Sequence, residues 1–377
     1  MTVADVAIGG AKRARRAYTL DEVSIAPSRR TRNAQEVSTA WQIDAFRFDL
    51  PFVAAPMDSV VSPSSATTLS SLGMLAVLNA EGLWTRYSDP DPVLARIASA
   101  SDAAVTTVLQ ESYAQPIDPD LLAQRVGEMK AAGIVTAVSV SPQRTADLTS
   151  RIVAAGADLL VIRGSTVSAE HVAGSASGPD VDAPLNLKEF IHGIDVPVIV
   201  GGCSTYQAAL HLMRTGAAGV LVGFGGGASL TTSEVLGVRV PMASAIADVA
   251  AARRDYLDES GGRYVHVIAD GSMGRSGDIV KAIACGADAA MLGSVLARAD
   301  DAPGRGAHWG AEAWHPSLPR GIRTIRPTVG TLAEIVQGPS RAADGSMNLA
   351  GALRKALATT GYSDLKEFQR VEMLVTG

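Results

Sequence analysis

The chain reads as a closed (β/α)8 barrel, an α/β TIM barrel with an N-terminal arm and a C-terminal lid and helical extension. Three observations carry that reading. A helical stretch broken at a glycine and followed by a short apolar run recurs along the chain. Further apolar runs bring the count of strands to the number a closed barrel needs. Near the end of the series, Val265 to Ser294 reads as a buried strand, a glycine-rich turn with an acidic residue, an amphipathic helix and a second strand ending in Gly-Ser. Two such neighbouring strand ends bring backbone N–H donors together as a phosphate site at one rim. Asp270, closing the first of them, is then placed to accept hydrogen bonds from sugar hydroxyls, so the ligand reads as a nucleoside monophosphate or a similar phosphorylated molecule.

The elements follow in order. Residues 1–50 read as a polar arm, and Pro51 to Ala55 as the first strand. The repeat appears at Ser71 to Leu78, Ala131 to Val138, Ala155 to Ile162, Thr215 to Val222 and Cys285 to Leu292, with Pro197 to Gly201 and Val265 to Ala269 as further strands. Glycine suits the left-handed position that ends a helix, and an all-apolar run suits a strand buried on both faces. Residues 80–130 carry Ser88-Asp-Pro-Asp-Pro92 and Gln115-Pro-Ile-Asp-Pro119, turn or helix-start signals flanking short helices within the barrel segment 51–296. Residues 297–377 read as lid and C-terminal helices, with 300–350 over the phosphate end and Asn348 to Arg370 as a surface helix pair. All of this reads as one domain. A doubly wound open sheet is the alternative architecture.

The bulk properties narrow the class of partner. The 377 residues are 47% hydrophobic with a net charge of −5, and the basic clusters Lys12 to Arg16 and Arg29 to Arg32 read as solvated surface. That argues against nucleic acid. Cys203 and Cys285 lack metal-ligand spacing and are too few for a disulfide scaffold, which suits a reducing cytoplasm. No run reaches the roughly 18 apolar residues of a membrane span, and a soluble, cytoplasmic protein is expected.

Several motifs then fall in register. Tyr18-Thr-Leu-Asp-Glu-Val-Ser-Ile-Ala-Pro27, Pro51-Phe-Val-Ala-Ala-Pro-Met-Asp-Ser-Val60, Leu78-Asn79, Val222-Gly-Phe-Gly-Gly-Gly-Ala-Ser-Leu-Thr-Thr232 and the Asp270 to Ser294 block occur in this order. Together they resemble the IMP dehydrogenase/GMP reductase family along nearly the whole chain. The resemblance is greatest to the short branch without the CBS pair, since residues 80–130 stand where that pair is inserted and are too few for it. No CBS-type regulation by adenine nucleotides is therefore expected.

The resemblance implies a purine nucleotide site. Asp270 matches the ribose-binding aspartate, and Gly271, Gly293 and Ser294 match parts of the phosphate cradle. Met57 and Asp58 match the segment near purine and ribose; Asn79 and Gly310 belong to the same expected substrate set. Gly225 and Gly227 match the glycines of the nucleophile loop, which in the dehydrogenases also carries a monovalent cation such as potassium. Thr232 matches the threonine two positions after the nucleophile. NAD or NADP is the implied cofactor, with Arg163 and Ser165 at the strand end that faces it, and a homo-oligomer, tetramer or octamer, is implied.

The departures from the family pattern carry equal weight. The nucleophilic cysteine position is Leu230, and leucine has no lone pair for attack on a purine ring. Cys203, at the rim after the fifth strand, is a substitute thiol or a packed small hydrophobe. Arg163 replaces the family aspartate, and either pairs with an acidic residue or meets a phosphate, including the 2′-phosphate of NADPH. Arg320 stands where the reductases have a glutamate; guanidinium cannot take over its proton handling. His308-Trp309-Gly310 reads as a purine contact or as lid packing, and Glu312 as a lid residue or an acid group. The expected function is a protein that binds a 6-oxopurine nucleoside monophosphate (IMP, GMP or XMP) and is catalytically degenerate. The alternative is an active NAD(P)-dependent oxidoreductase, a GMP reductase ahead of an IMP dehydrogenase. A third reading, flavin mononucleotide at the same rim, needs no cysteine.

Overall fold

The computed structural model describes residues 5–164, 167, 185–318 and 320–376. Eight parallel strands close into a barrel: Phe52–Ala54, Leu75–Asn79, Ala137–Val140, Leu159–Arg163, Val198–Cys203, Gly219–Val222, His266–Asp270 and Ala289–Leu292. The ring is completed where Ala290, Met291 and Leu292 pair with Phe52, Val53 and Ala54. Closure rules out the open sheet. Helices cover the outside, so the strands are buried on both faces and read as apolar runs rather than alternations. The glycine of the repeat does what its position requires: Gly286 has φ +117°, and a Cβ there would lie 2.6 Å from the Cβ of Ala250 on the neighbouring helix Met242–Glu259.

Two expectations about the flanking segments need correction. The arm is not uniformly polar. Trp41–Ile43 and Phe46–Phe48 pair as a hairpin whose Trp41, Ile43 and Phe48 are buried, with Leu50 after them. The hairpin covers the N-terminal pole, with Ile43 packed beside Gly219. Its strands are too short for a period of two to stand out in sequence. The lid is also shorter than 300–350. Ala307–His308 pairs with Thr324–Ile325 at the mouth, whereas Leu332–Val336 packs on the helix Pro63–Ser71. The helices Leu349–Thr360 and Leu365–Phe368 are not a free surface pair: Leu353, Leu357, Leu365 and Phe368 are buried in the main core.

Residues 80–130 form three helices, Asp91–Ser99, Val105–Ala114 and Pro119–Ala131. The first two share a second apolar core with the lid, in which Leu94, Ile97, Leu109 and Tyr113 meet Trp309 and Ala313, while the third sends Leu122, Val126 and Met129 into the main core. Insert and lid therefore stand or fall together. Among the described residues no helix is long and apolar enough to cross a membrane.

The N-terminal pole is held by Asp288, just before the eighth strand and 4% exposed. Its Oδ2 accepts from Arg253 Nη1 and the Val267 N–H, both at 2.8 Å. Its Oδ1 accepts from Tyr264 Oη (2.8 Å), Lys366 Nζ (2.5 Å) and Gln369 Nε2 (3.2 Å). Burial alone would raise the carboxyl pKa, but Arg253, Lys366 and His266 outweigh it and hold it at about 2. Asp288→Ala leaves Arg253 buried without its counter-charge, and unfolding free energy should fall by about 3–5 kcal/mol. In the unaltered protein the folded pKa lies below the unfolded one, so this contribution is complete above about pH 4 and fades as pH falls towards about 2. Denaturant midpoints of both proteins across that range check the two statements.

Candidate active site

The loops after the strands converge at the C-terminal rim, where barrels of this kind place their chemistry. A cavity of about 480 Å³ lies under the lid, lined by Met57, Asp58, Asn79, Glu81, Tyr113, Ser139, Trp309, Gly310 and Trp314 among others. A narrow one of about 40 Å³ lies between the loops after the sixth and seventh strands, lined by Gly225, Gly227, Leu230, Thr232, Asp270 and Gly271. Arg163, Gly164 and Glu312 line both. Ser165, expected beside Arg163, lies outside the described residues.

Arg163 and Asp270 close the fourth and seventh strands and meet across the mouth, Nε to Oδ2 at 3.0 Å. The charge of Asp270, and more weakly that of Glu312, outweighs burial and raises the guanidinium pKa. The pair is only partly withdrawn from water, at 22% and 17% side-chain exposure. A ribose diol reaching Asp270 would share that carboxylate with Arg163. Of the partners foreseen for Arg163, the acidic residue is the one it has.

The loop carrying Leu230 is folded onto its neighbours. The Gly226 carbonyl accepts from both the N–H and Oγ of Ser272 at 3.0 Å, and the Gly227 carbonyl accepts from the Leu230 N–H at 3.1 Å. A cation near Gly225 and Gly227 would compete with those bonds. Among the described residues no group of three or more His, Cys, Asp or Glu is placed to hold a metal ion. Thr232 is buried at the first turn of the helix Thr232–Leu236, and the lid is stitched to this loop through Ile322 N–H to the Ser229 carbonyl (2.8 Å) and Thr231 Oγ1 to the Arg320 carbonyl. Gly223 is needed beneath: a Cβ there would fall 2.0 Å from the Asp270 carbonyl oxygen.

On the phosphate side, the N–H groups of Gly274 and Arg275 are already met by Asp278 at 3.2 and 3.1 Å. A phosphate is left with the strand-end donors around Gly271, Gly293 and Ser294. Met57 Sδ and the His308 ring stand over Gly293, where a Cβ would meet both at 3.1–3.2 Å. Burial, ahead of Arg163 and Arg326, lowers the His308 pKa to about 4, and its Nδ1 lies 3.1 Å from Ser59 Oγ. The imidazole is neutral at physiological pH and adds no charge to the cradle.

Asp58 and Asn79 differ most from expectation. Asp58 lines the cavity but is 2% exposed, and its carboxyl is engaged within the protein. Oδ1 accepts from the Leu83 N–H at 2.9 Å and Oδ2 from Tyr113 Oη at 2.5 Å, while Tyr113 Oη accepts from Trp309 Nε1 at 2.9 Å. Desolvation raises the Asp58 pKa to about 6 against these bonds. Asn79 Oδ1 likewise accepts from the Glu81 N–H (3.0 Å), and Glu81 Oε1 accepts from the Ser141 N–H (2.5 Å). Tyr113, Glu81 and Ser272 were not identified from sequence. The available signal was Tyr113, a hydroxyl four residues after Leu109 on the apolar face of a helix.

Neither thiol lines the narrow cavity beside Leu230. Cys203 is 2% exposed, its Sγ donates to the Leu221 carbonyl at 3.5 Å, and burial pushes its pKa up to about 12. Of the two readings of Cys203, the packed small hydrophobe holds. Cys285 lies at the end of the helix Ser276–Ala284, 3.9 Å from Met373 Sδ, and burial pushes it to about 12 as well.

Tyr113→Phe would strip both Asp58 and Trp309 of a buried partner. Stability should fall by about 1–3 kcal/mol, with faster amide exchange over the insert and residues 307–314, read by hydrogen-exchange mass spectrometry. Unchanged exchange there would disprove the anchoring role.

The model of the IMP dehydrogenase / GMP reductase domain matches residues 17–315. An uncharacterized oxidoreductase of Mycobacterium tuberculosis (strain H37Rv) is 54% identical, covering 99% of this chain and 100% of its own length. One from Mycolicibacterium smegmatis is 52% identical, over 98% and 99%. The crystal structure of an IMP dehydrogenase/GMP reductase-like protein from Corynebacterium glutamicum superposes with a TM-score of 0.92 at 50% identity, over 98% of this chain and 97% of that one. The chain belongs to the IMP dehydrogenase / GMP reductase family.

Proposed function

We propose that the mouth of the barrel binds a 6-oxopurine nucleoside monophosphate (IMP, GMP or XMP) and that this chain does not carry out the covalent purine chemistry of its family. One observation carries the reading: Leu230 lines the narrow cavity beside Asp270 and Gly271, while the buried Cys203 and the half-buried Cys285 lie elsewhere, each with a raised pKa. An alkyl side chain cannot attack a ring carbon, and a thiol held protonated is no nucleophile. Binding needs less. The strand-end N–H groups serve the phosphate, Asp270 the ribose hydroxyls, and Met57 and Gly310 line the space for the base.

The second reading is an active NAD(P)-dependent oxidoreductase, a GMP reductase or, second to it, an IMP dehydrogenase. The cavity under the lid supports it, because about 480 Å³ adjoins the narrow site and leaves room for a second ring system. Arg163 and Glu312 stand where the two ligands would meet. There the guanidinium would favour a co-substrate with extra negative charge, such as NADP. Family resemblance supports a homo-oligomer for either reading.

IMP, GMP and XMP should each be tested for thermal stabilisation, followed by nicotinamide absorbance in the same samples. On the first reading at least one nucleotide stabilises the protein, by about 2.7 kcal/mol at a hundredfold excess over its Kd, without turnover. Asp270→Ala should weaken binding by about tenfold or more, some 1.4 kcal/mol. Leu230→Cys alone should leave turnover absent, because Arg320 still stands in place of the glutamate. Steady oxidation or reduction of the cofactor by the unaltered protein would establish the second reading instead.

A further inference from the structure

A cavity of about 840 Å³, larger than either at the mouth, lies at the opposite pole of the barrel. It sits between the Trp41–Phe48 hairpin, the segment Arg263–His266 leading into the seventh strand, and the helix Leu365–Phe368. Its wall is aromatic. The His266 ring meets Trp41 at 6.1 Å and 75°, and Tyr264 at 5.0 Å and 69°. Two ring nitrogens of this wall, Trp41 Nε1 and His266 Nδ1, are buried and have no hydrogen-bond partner among the described residues. Trp41 is 6% exposed as a whole, and His266 Nδ1 stands 3.9 Å from Asp288 Oδ2, beyond hydrogen-bond reach.

A buried polar group without a partner is costly, and folded proteins leave few. Here two occur on rings that line one cavity, and neither makes a hydrogen bond to the Asp288 cluster behind them. The charges at the rim differ in availability. Lys366 is committed to Asp288 and lies 3.9 Å from the Tyr264 ring centre. Arg263 donates to the Gly216 carbonyl through one nitrogen only. Arg47 is exposed and has no ion pair among the described residues. Of the carboxylates lining the cavity, Asp288 is fully engaged, Asp364 caps its own helix, and Asp44 stays at the rim.

We infer that this cavity is a second ligand site, taking a heteroaromatic ring that carries an anionic group. The ring lies against the rings of Trp41 and His266, and the anion meets Arg47 and Arg263. A volume of this size suits a nucleotide-sized molecule. The strands separate this site from the mouth, so the inference stands apart from the function proposed there.

The chain has four tryptophans, and they report on different places. Trp41 lines this cavity, Trp309 and Trp314 line the mouth, and Trp84 lines neither. Indole N–H resonances of the whole protein, with Trp41 assigned through Trp41→Phe, would be followed while AMP, GMP or nicotinate is added. The expected result is a saturable shift of the Trp41 resonance with at least one probe. Its affinity should drop about tenfold or more in the folded double variant Arg47→Ala, Arg263→Ala. Three results would overturn the inference: no probe moves Trp41; the shift survives the double substitution; or Trp41 responds only to protein concentration, which would make this face a contact between copies. GMP moving Trp309 or Trp314 while every probe leaves Trp41 unmoved would sink this site and leave the reading of the mouth intact.

Discussion

Everything functional in this chain depends on the closure of the eighth strand onto the first. Eight strands make a ring whose interior is just wide enough to be filled by side chains. A large charged group at a strand end cannot turn inward and must emerge at a rim. Arg163 and Asp270 end strands that lie three places apart around the ring, yet they meet at 3.0 Å because both are pushed to the same opening. The alanines of the closing strands, Ala54, Ala289 and Ala290, keep this seam narrow.

The two charge clusters at the poles show how satisfaction separates structure from function. Asp288 has five donors on its two oxygens and is almost wholly buried, so a ligand could add nothing to it. At the mouth, Arg163 and Asp270 share one hydrogen bond and keep a fifth of their side-chain surface in water. A partly satisfied pair can exchange a partner at modest cost, whereas a saturated buried one is disrupted by any change. The Asp58–Tyr113–Trp309 chain belongs with the first kind. It lines the cavity under the lid, but its bonds hold insert, lid and first strand together.

Binding and covalent catalysis place different demands on one site, and this chain divides them. A phosphate cradle is made of backbone geometry spread over several loops, which tolerates substitution as long as the turns persist. A nucleophile is one atom on one side chain. On the reading proposed above, Leu230 in its place removes that reaction while the strand ends that would hold a nucleotide remain. The lid still closes over the same loop, through Ile322 and Ser229. On the proposed reading, the framework is kept because binding alone requires it.

The sequence by itself determined the architecture, the place of the mouth and the alkyl side chain at position 230. Each rests on local information: glycine at the left-handed turn of every repeat, apolar runs of strand length, and the identity of residue 230. Part of the site was legible for the same reason, since Asp270, Gly271, Gly293 and Ser294 sit at strand ends that the repeat itself marks. What surrounds a carboxylate was not legible. Asp58 is bonded by Tyr113, 55 residues later on a separate helix. Arg163 pairs with Asp270 across 107 residues. The apolar hairpin at the far pole, and the cavity it encloses with the last helix, likewise joins segments hundreds of residues apart. Hydrogen bonds and desolvation act through space over a few ångströms, and only the folded chain decides which groups come that close.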